Sequence, residues 1–213
     1  MDITTLGLAA FAGVVGGAMN GLAGGGSFFT LPVLIALGLP ANVANATSNV
    51  ALLPGAAASA WGFRDELGPV AGLSVLLLAT ITFIAGLGGS LLLVLTPSDT
   101  FDIVIPWLLL FAFVVMVFGK HAAEWLHARV TIGRPTLIGA QSLLGVYGGY
   151  FGGGVGLMTT AVYGLLANIQ PRELFAIRTL MLAIANLAAA FVFVAFAMVW
   201  WWACLPMLAG SIA

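Results

Sequence analysis

Residues 16–34 read GGAMNGLAGGGSFFTLPVL, and residues 144–162 read LGVYGGYFGGGVGLMTTAV. When the two stretches are aligned from their first residues, five glycine positions coincide. The shared positions are Gly17 with Gly145, Gly21 with Gly149, and the triple glycines Gly24, Gly25 and Gly26 with Gly152, Gly153 and Gly154. In each copy a short apolar segment, a proline and a polar cluster follow the glycine run. We therefore interpret the two stretches as copies of one internal repeat.

The composition indicates the solvent in which this repeat folds. Of the 213 residues, 62% are hydrophobic and 6% are charged, which is too little polar surface to cover a water-facing globule. Several uncharged stretches exceed the roughly 20 residues that cross a bilayer core of about 30 Å. A formal net charge of -1 without a basic run argues against nucleic acid as a partner. The sequence thus predicts an integral membrane protein whose main partner is the lipid bilayer.

Charges and turn residues divide the chain into nine apolar segments. We expect each to be helical, because a backbone exposed to lipid must satisfy its own hydrogen bonds. Two of the segments follow a glycine run and are too short to cross the hydrocarbon core, so we predict half-helices or re-entrant helices there. The predicted segments are 5–22, 27–38, 43–60, 69–95, 103–119, 136–151, 156–167, 173–197 and 199–213.

The distribution of basic residues predicts how the two copies are oriented. Lys120, Arg129 and Arg134 lie in one polar interval, which the positive-inside rule places in the cytoplasm. Arg172, in the turn after the second short segment, also favours the inside, whereas the turn after the first short segment has no positive charge. The copies would then be inverted, as in many secondary transporters.

The predicted fold class is accordingly an all-α integral membrane protein with two inverted repeats and glycine-broken helices. The boundaries are an N-terminal membrane repeat at 1–119, a cytoplasmic connecting loop at 120–135 and a C-terminal membrane repeat at 136–213. The second copy stops sooner than the first, so we expect its last helix to be missing.

The glycine runs suit an anion. At a glycine break, unpaired N–H groups of the following half-helix point into the gap together with the positive end of the helix dipole. Ser27 adds a hydroxyl donor after the first run, which Val155 cannot do after the second. The alternative is that the glycines only permit close helix crossings.

Arg178 is the most informative charge, because it lies several residues inside an apolar segment. Burying arginine in a membrane costs about 2.5–3.5 kcal/mol or more unless it is paired or faces water. We consider it an anion ligand, with Thr179 beside it. The alternative is that its side chain snorkels to the cytoplasmic surface.

The segment aligned with Arg178 is rich in amides and hydroxyls. Asn42, Asn45 and Asn49 share one helical face, with Thr47 and Ser48 beside it. Uncharged donors could bind a desolvated oxyanion without trapping it. The alternative is hydrogen bonding between helices together with an N-cap at Asn42. Asn20 and Asn186 are weaker candidates of the same type.

Catalytic, metal and cofactor sites are not expected. His121 and His127 are not at a metal-ligand spacing on a helix, and the single cysteine, Cys204, has no nearby histidine. The sequence contains neither a pair of catalytic carboxylates nor a nucleophile motif. We therefore predict a protein that is not an enzyme.

Two stretches carry a family resemblance. The sequences GLAGGGSFFTLPVLIALGLPANVANATSN and GGYFGGGVGLMTTAVYGLLANIQPRELFAIRT resemble the TauE/SafE sulfite exporter family, and the resemblance extends over essentially the whole chain. It implies a multi-pass carrier in the cell (inner) membrane for sulfite, thiosulfate, sulfonates or related small organic anions. The chain departs from the family in its early stop and in Ala46, where many relatives have glycine before the Thr-Ser pair.

The functional hypothesis is alternating access about a midplane site at the two glycine breaks. Alternatives are a permease or channel for another small solute and a membrane scaffold. A carrier should have a polar cavity at the breaks, and a scaffold should be closed and dry there. The identity of the anion, the energy coupling and the presence of a homo-oligomer stay open. The predicted substrate-binding residues are Gly24, Gly25, Gly26, Ser27, Asn45, Thr47, Ser48, Asn49, Gly152, Gly153, Gly154, Arg178 and Thr179.

Overall fold

The computed structural model describes residues 3–127, 133–166 and 169–212. Over these residues the chain is helical and contains no β-strand beyond one isolated bridge between Val70 and Leu73. The helices are α1 (Ile3–Leu22), α2 (Ser27–Ala36), α3 (Ala41–Gly62), α4 (Val75–Leu95), α5 (Ser98–His127), α6 (Arg134–Tyr150), α7 (Val155–Leu166), α8 (Pro171–Ala195) and α9 (Trp201–Ile212), with a 3-10 turn at Arg64–Glu66.

All nine predicted apolar segments are confirmed as helices, most with ends within two or three residues of the prediction. The start of α4 is an exception: it begins at Val75, because Ser74 caps it by accepting a hydrogen bond from the N–H of Leu77. Four described helices, α1, α4, α5 and α8, are long and apolar enough to cross a membrane. The protein is therefore a multi-pass membrane protein.

The connecting loop predicted at 120–135 is wrong over its first part. Helix α5 continues to His127, and α6 begins at Arg134. The prediction took charge as the end of the helix, but Lys120 and Glu124 are residue types with high helix propensity. Residues 128–132, which include Arg129, lie outside the described residues.

Helix contacts follow a twofold pattern. Helix α1 packs on α9 as α6 packs on α4, and α3 packs on α9 as α8 packs on α4. We match α1, α2, α3 and α4 with α6, α7, α8 and α9 in chain order. Under this matching, the contact of α1 with α9 corresponds to that of α6 with α4, and the contact of α3 with α9 corresponds to that of α8 with α4. The contact between α3 and α8 corresponds to itself. The matched short helices, α2 and α7, contact α3 and α8 respectively.

Glycine allows the closest of these helix crossings. A Cβ atom on Gly149 would collide with the backbone of Gly86 where α6 crosses α4. At the matching crossing of α1 and α9, a Cβ on Gly17 would lie 2.5 Å from the carbonyl oxygen of Ser211. Some glycines of the repeat therefore serve helix packing, as the packing alternative predicted.

Candidate functional site

The two glycine breaks meet in the structure. The first lies between α1 and α2 and the second between α6 and α7. The N–H of Gly156 donates to the carbonyl oxygen of Gly24 over 3.2 Å, and a Cβ on either residue would collide with the backbone of the other. Gly24 has a φ of +76°, which an L side chain rarely adopts. The two turns thus touch through bare backbone.

Aromatic rings fill the space beside the breaks. The ring of Phe28 lies against Gly25 and Gly154, and the ring of Phe151 lies against Gly153. Between α2 and α5 a cleft of about 310 Å³ is apolar apart from Ser27. Sequence reasoning missed Phe28, although an aromatic pair one residue after a glycine run, Phe28 and Phe29, was a visible signal. Where Gly24 meets Gly156, the two backbones are in direct contact.

A buried amide organises the first break. Asn20 on α1 accepts a hydrogen bond from the N–H of Gly26 through Oδ1, at 2.8 Å. The hydroxyl of Thr30 donates to the carbonyl oxygen of Gly26 at 3.2 Å and shares a second hydrogen bond with the hydroxyl of Ser48 on α3. Ser48 is therefore linked to the first break, through Thr30, a residue that the sequence analysis did not select.

The two threonine candidates have hydrogen-bond partners away from the glycine breaks. Thr47 accepts a hydrogen bond from the N–H of Trp200 at 3.0 Å, which ties α3 to the segment before α9. Thr179 donates to the carbonyl oxygen of Ala176 on its own helix at 2.9 Å. Their hydrogen bonds do not connect them to either glycine break.

Two predicted asparagines lie at the second break. Nδ2 of Asn45 donates to the carbonyl oxygen of Tyr150, the last residue of α6, at 3.1 Å. Nδ2 of Asn49 donates to Oδ1 of Asn186 on α8 at 3.3 Å. Both amides keep a buried Oδ1 without a hydrogen-bond partner. The hydrogen bonds between helices that the alternative interpretation expected are thus present here. In addition, two amide oxygens have no hydrogen-bond partner.

Asn42 behaves differently from these two. Helix α3 begins at Ala41 with Pro40 in the N-cap position, so the predicted N-cap at Asn42 is wrong. Asn42 is half-buried, and its Oδ1 accepts the N–H of the adjacent Val43. The proline, whose missing N–H costs nothing before a helix, begins α3 two residues earlier than an N-cap at Asn42 would.

Arg178 is buried and bonded to the end of α1. Its side chain is 4% exposed, so it does not snorkel to the surface. Nη1 donates to the carbonyl oxygen of Leu22 at 3.0 Å and Nη2 to that of Gly21 at 2.8 Å, while Nε has no partner. The guanidinium lies 3.8 Å from the ring centre of Phe175. Among the described residues it forms no ion pair.

The two breaks are therefore capped across the halves. A helix ends in carbonyls without intrahelical partners, and its C-terminus has a partial negative charge. Arg178 of the second half satisfies two such carbonyls of α1, and Asn45 of the first half satisfies one of α6. The first cap is charged and the second is neutral.

These groups can attract a small polar solute. The Nε donor of Arg178 and the start of α2 favour an anion near the first break. The free amide oxygens of Asn45 and Asn49 favour a donor or a cation near the second. Over the described ranges, no group of three or more His, Cys, Asp or Glu residues could hold a metal ion.

Known proteins are similar to this sequence over nearly its whole length. The family described as sulfite exporter TauE/SafE matches residues 9–213. The probable membrane transporter protein YfcA of Escherichia coli K12 is 25% identical over 208 residues, which cover 97% of this chain and 76% of that protein. The YfcA proteins of two other Escherichia coli strains, CFT073 and O157:H7, match equally well. No solved structure gives a significant match. The chain belongs to the TauE/SafE sulfite exporter family of membrane transporters.

Proposed function

We propose that the protein carries small sulfur-containing anions, such as sulfite, thiosulfate or sulfonates, across the cell (inner) membrane. The name of the family supports the substrate class. The carrier works by alternating access about a midplane site at the two glycine breaks. Residues 120–135, which include the end of α5, connect the halves on the cytoplasmic side.

The observation that carries the proposal is the buried charge of Arg178. An arginine inside a membrane protein needs a counter-charge, and no carboxylate among the described residues pairs with it. In the closed conformation the carbonyl oxygens of Gly21 and Leu22 occupy two of its donors. An anion binds first to the free Nε–H and then competes with these carbonyls. Loading thus releases the end of α1 and lets the first break open.

The exchange of helix contacts supports two inverted repeats, which would make the inward- and outward-facing states mirror each other. In such a carrier the direct contact between Gly24 and Gly156 belongs to the closed state. Glycine at both positions lets the breaks separate and meet again without a side chain in the way.

The test is flux in proteoliposomes loaded with sulfite, thiosulfate or sulfoacetate. Arg178→Gln removes the charge and keeps a polar, though shorter, side chain. Since a hydrogen bond to a charged group is worth about 1.5–3 kcal/mol, we expect the apparent affinity to fall roughly 10- to 100-fold. Arg172→Gln is the matched control, because Arg172 is on the same helix and its side chain is 85% exposed.

The outcomes separate the hypotheses. Unchanged flux in Arg178→Gln would remove this residue from the site. Flux of a different solute, with none of the sulfur anions, would favour a permease or channel for that solute.

A scaffold is the second candidate, and the closed contact between the glycine breaks is the observation that favours it. A scaffold requires no opening of this contact. Absence of flux for every solute tested, in vesicles where the protein is folded and inserted, would decide for the scaffold.

A further inference from the structure

We propose that Asn45, Asn49 and Asn186, together with the end of α6, form a binding site for a sodium ion. The role of this ion as the coupling ion of transport rests on the proposed function, but its binding does not. The site lies at the second glycine break and uses atoms different from those of the anion site.

The first evidence is a pair of unused acceptors. Asn45 and Asn49 are 1% and 2% exposed, and Oδ1 of each has no hydrogen-bond partner. They are four residues apart on α3 and so lie on one face of the helix. The Nδ2 bond of Asn45 to the carbonyl oxygen of Tyr150 fixes which end of that amide is the oxygen. A buried acceptor without a donor is costly, and a cation satisfies it.

The second evidence is the bare face of Gly152. A Cβ placed there would lie 3.0 Å from Nδ2 of Asn49, 3.5 Å from the carbonyl oxygen of Gly148 and 4.0 Å from Oδ1 of Asn186. The carbonyl oxygen of Gly148 on α6 and Oδ1 of Asn186 on α8 therefore lie together where a side chain is absent, beside the amide of Asn49 on α3. The carbonyls belong to the C-terminal end of α6, whose partial charge is negative. Unwound backbone and helix C-termini of this kind hold Na⁺ in other transporters.

The chemistry of these oxygens selects a monovalent ion. Amide and backbone oxygens are neutral, whereas protein sites for Ca²⁺ and Mg²⁺ use carboxylates to offset the dehydration of a double charge. The described residues place no group of acidic side chains here. The positive charge of Arg178 would repel a cation. However, Arg178 is eight residues from Asn186 on α8, which is about 12 Å along the helix axis.

The experiment is thermal unfolding of the purified protein in detergent, without any anion substrate. Midpoints are compared in NaCl, KCl and N-methyl-D-glucamine chloride at equal ionic strength. At a Na⁺ concentration tenfold above its Kd, we expect the midpoint to rise by about 3–6 °C over the other two salts. Equal midpoints in Na⁺ and K⁺ would overturn the proposal.

Two variants locate the effect. Asn49→Leu removes an oxygen of the site while keeping the volume, and we expect the Na⁺-dependent shift to disappear. Asn42→Leu, on the same helix, is the matched control and should keep the full shift. A full shift in Asn49→Leu would contradict the assignment even if the wild type binds Na⁺. Because no substrate is present, a protein that shows the shift but no anion flux would fail the proposed function and not this one.

Discussion

The contact between Gly24 and Gly156 leads to a quantitative prediction. Other glycines of the chain allow the cost of the steric collision and the cost of the positive φ to be measured separately. In Gly24→Ala the new methyl group meets the backbone of the other break, and the residue also keeps a φ of +76°. Gly156→Ala adds the same collision without the positive φ. Gly38→Ala has a φ of +91° and open space around its Cβ, so it adds the conformational strain alone.

The magnitudes follow from these geometries. Overpacking against backbone costs about 1–3 kcal/mol, and an L residue in the left-handed region costs roughly 1–2 kcal/mol. We therefore expect the free energy of unfolding to fall by about 1–3 kcal/mol in Gly156→Ala and by about 1–2 kcal/mol in Gly38→Ala. Gly24→Ala combines both effects and should lose about 2–5 kcal/mol. Gly139→Ala, on α6 with no atom near its Cβ, should gain about 0.5–1 kcal/mol.

The assay is reversible unfolding of the four variants in mixed micelles, followed by circular dichroism. The double variant Gly24→Ala with Gly156→Ala tests the contact itself. Once one methyl group has separated the breaks, the second should cost less, so the combined loss should be smaller than the sum of the single losses. If Gly156→Ala is as stable as Gly139→Ala, the two breaks are not in contact and the reasoning fails.

Two further predictions concern buried groups. Asn20→Leu leaves the N–H of Gly26 without its acceptor and should lower the free energy of unfolding by about 1–3 kcal/mol, whereas Asn20→Asp keeps an oxygen and should retain the start of α2; equal losses in the two variants would contradict this role. Cys204, the single cysteine, has an exposed fraction of 0%, so a maleimide should label it only as fast as the protein unfolds in denaturant, and rapid labelling in the native state would place it at the surface instead.

Helix positions could be predicted from the sequence because the signals are local. Glycine runs, prolines and charges separate apolar runs, and a backbone in lipid has few options other than a helix. The same rule failed at α5, since Lys120 and Glu124 are charged but are also good helix formers. Charge marks where a helix leaves the hydrocarbon, and it does not mark where the helix ends.

The site was predictable only in part. The sequence selected Arg178, Asn45 and Asn49, because polar groups in apolar segments stand out. Their partners are backbone carbonyls and amides more than a hundred residues away, and such partners leave no pattern in the side chains. The predicted roles as anion ligands stay predictions. The structure adds that both asparagines have an unused oxygen, a property that the residue type alone cannot reveal.

The unequal capping of the two breaks has an electrical consequence. The end of α1 is held by the cation Arg178, and the end of α6 is held by the neutral amide of Asn45. A membrane potential does work of about 2.3 kcal/mol per 100 mV on one elementary charge that crosses the whole field, and none on an uncharged amide. In the proposed carrier, voltage would act on the charged cap of the first break and not on the neutral cap of the second. The two breaks would then differ as electrical elements, although each is capped by a side chain from the other half of the chain.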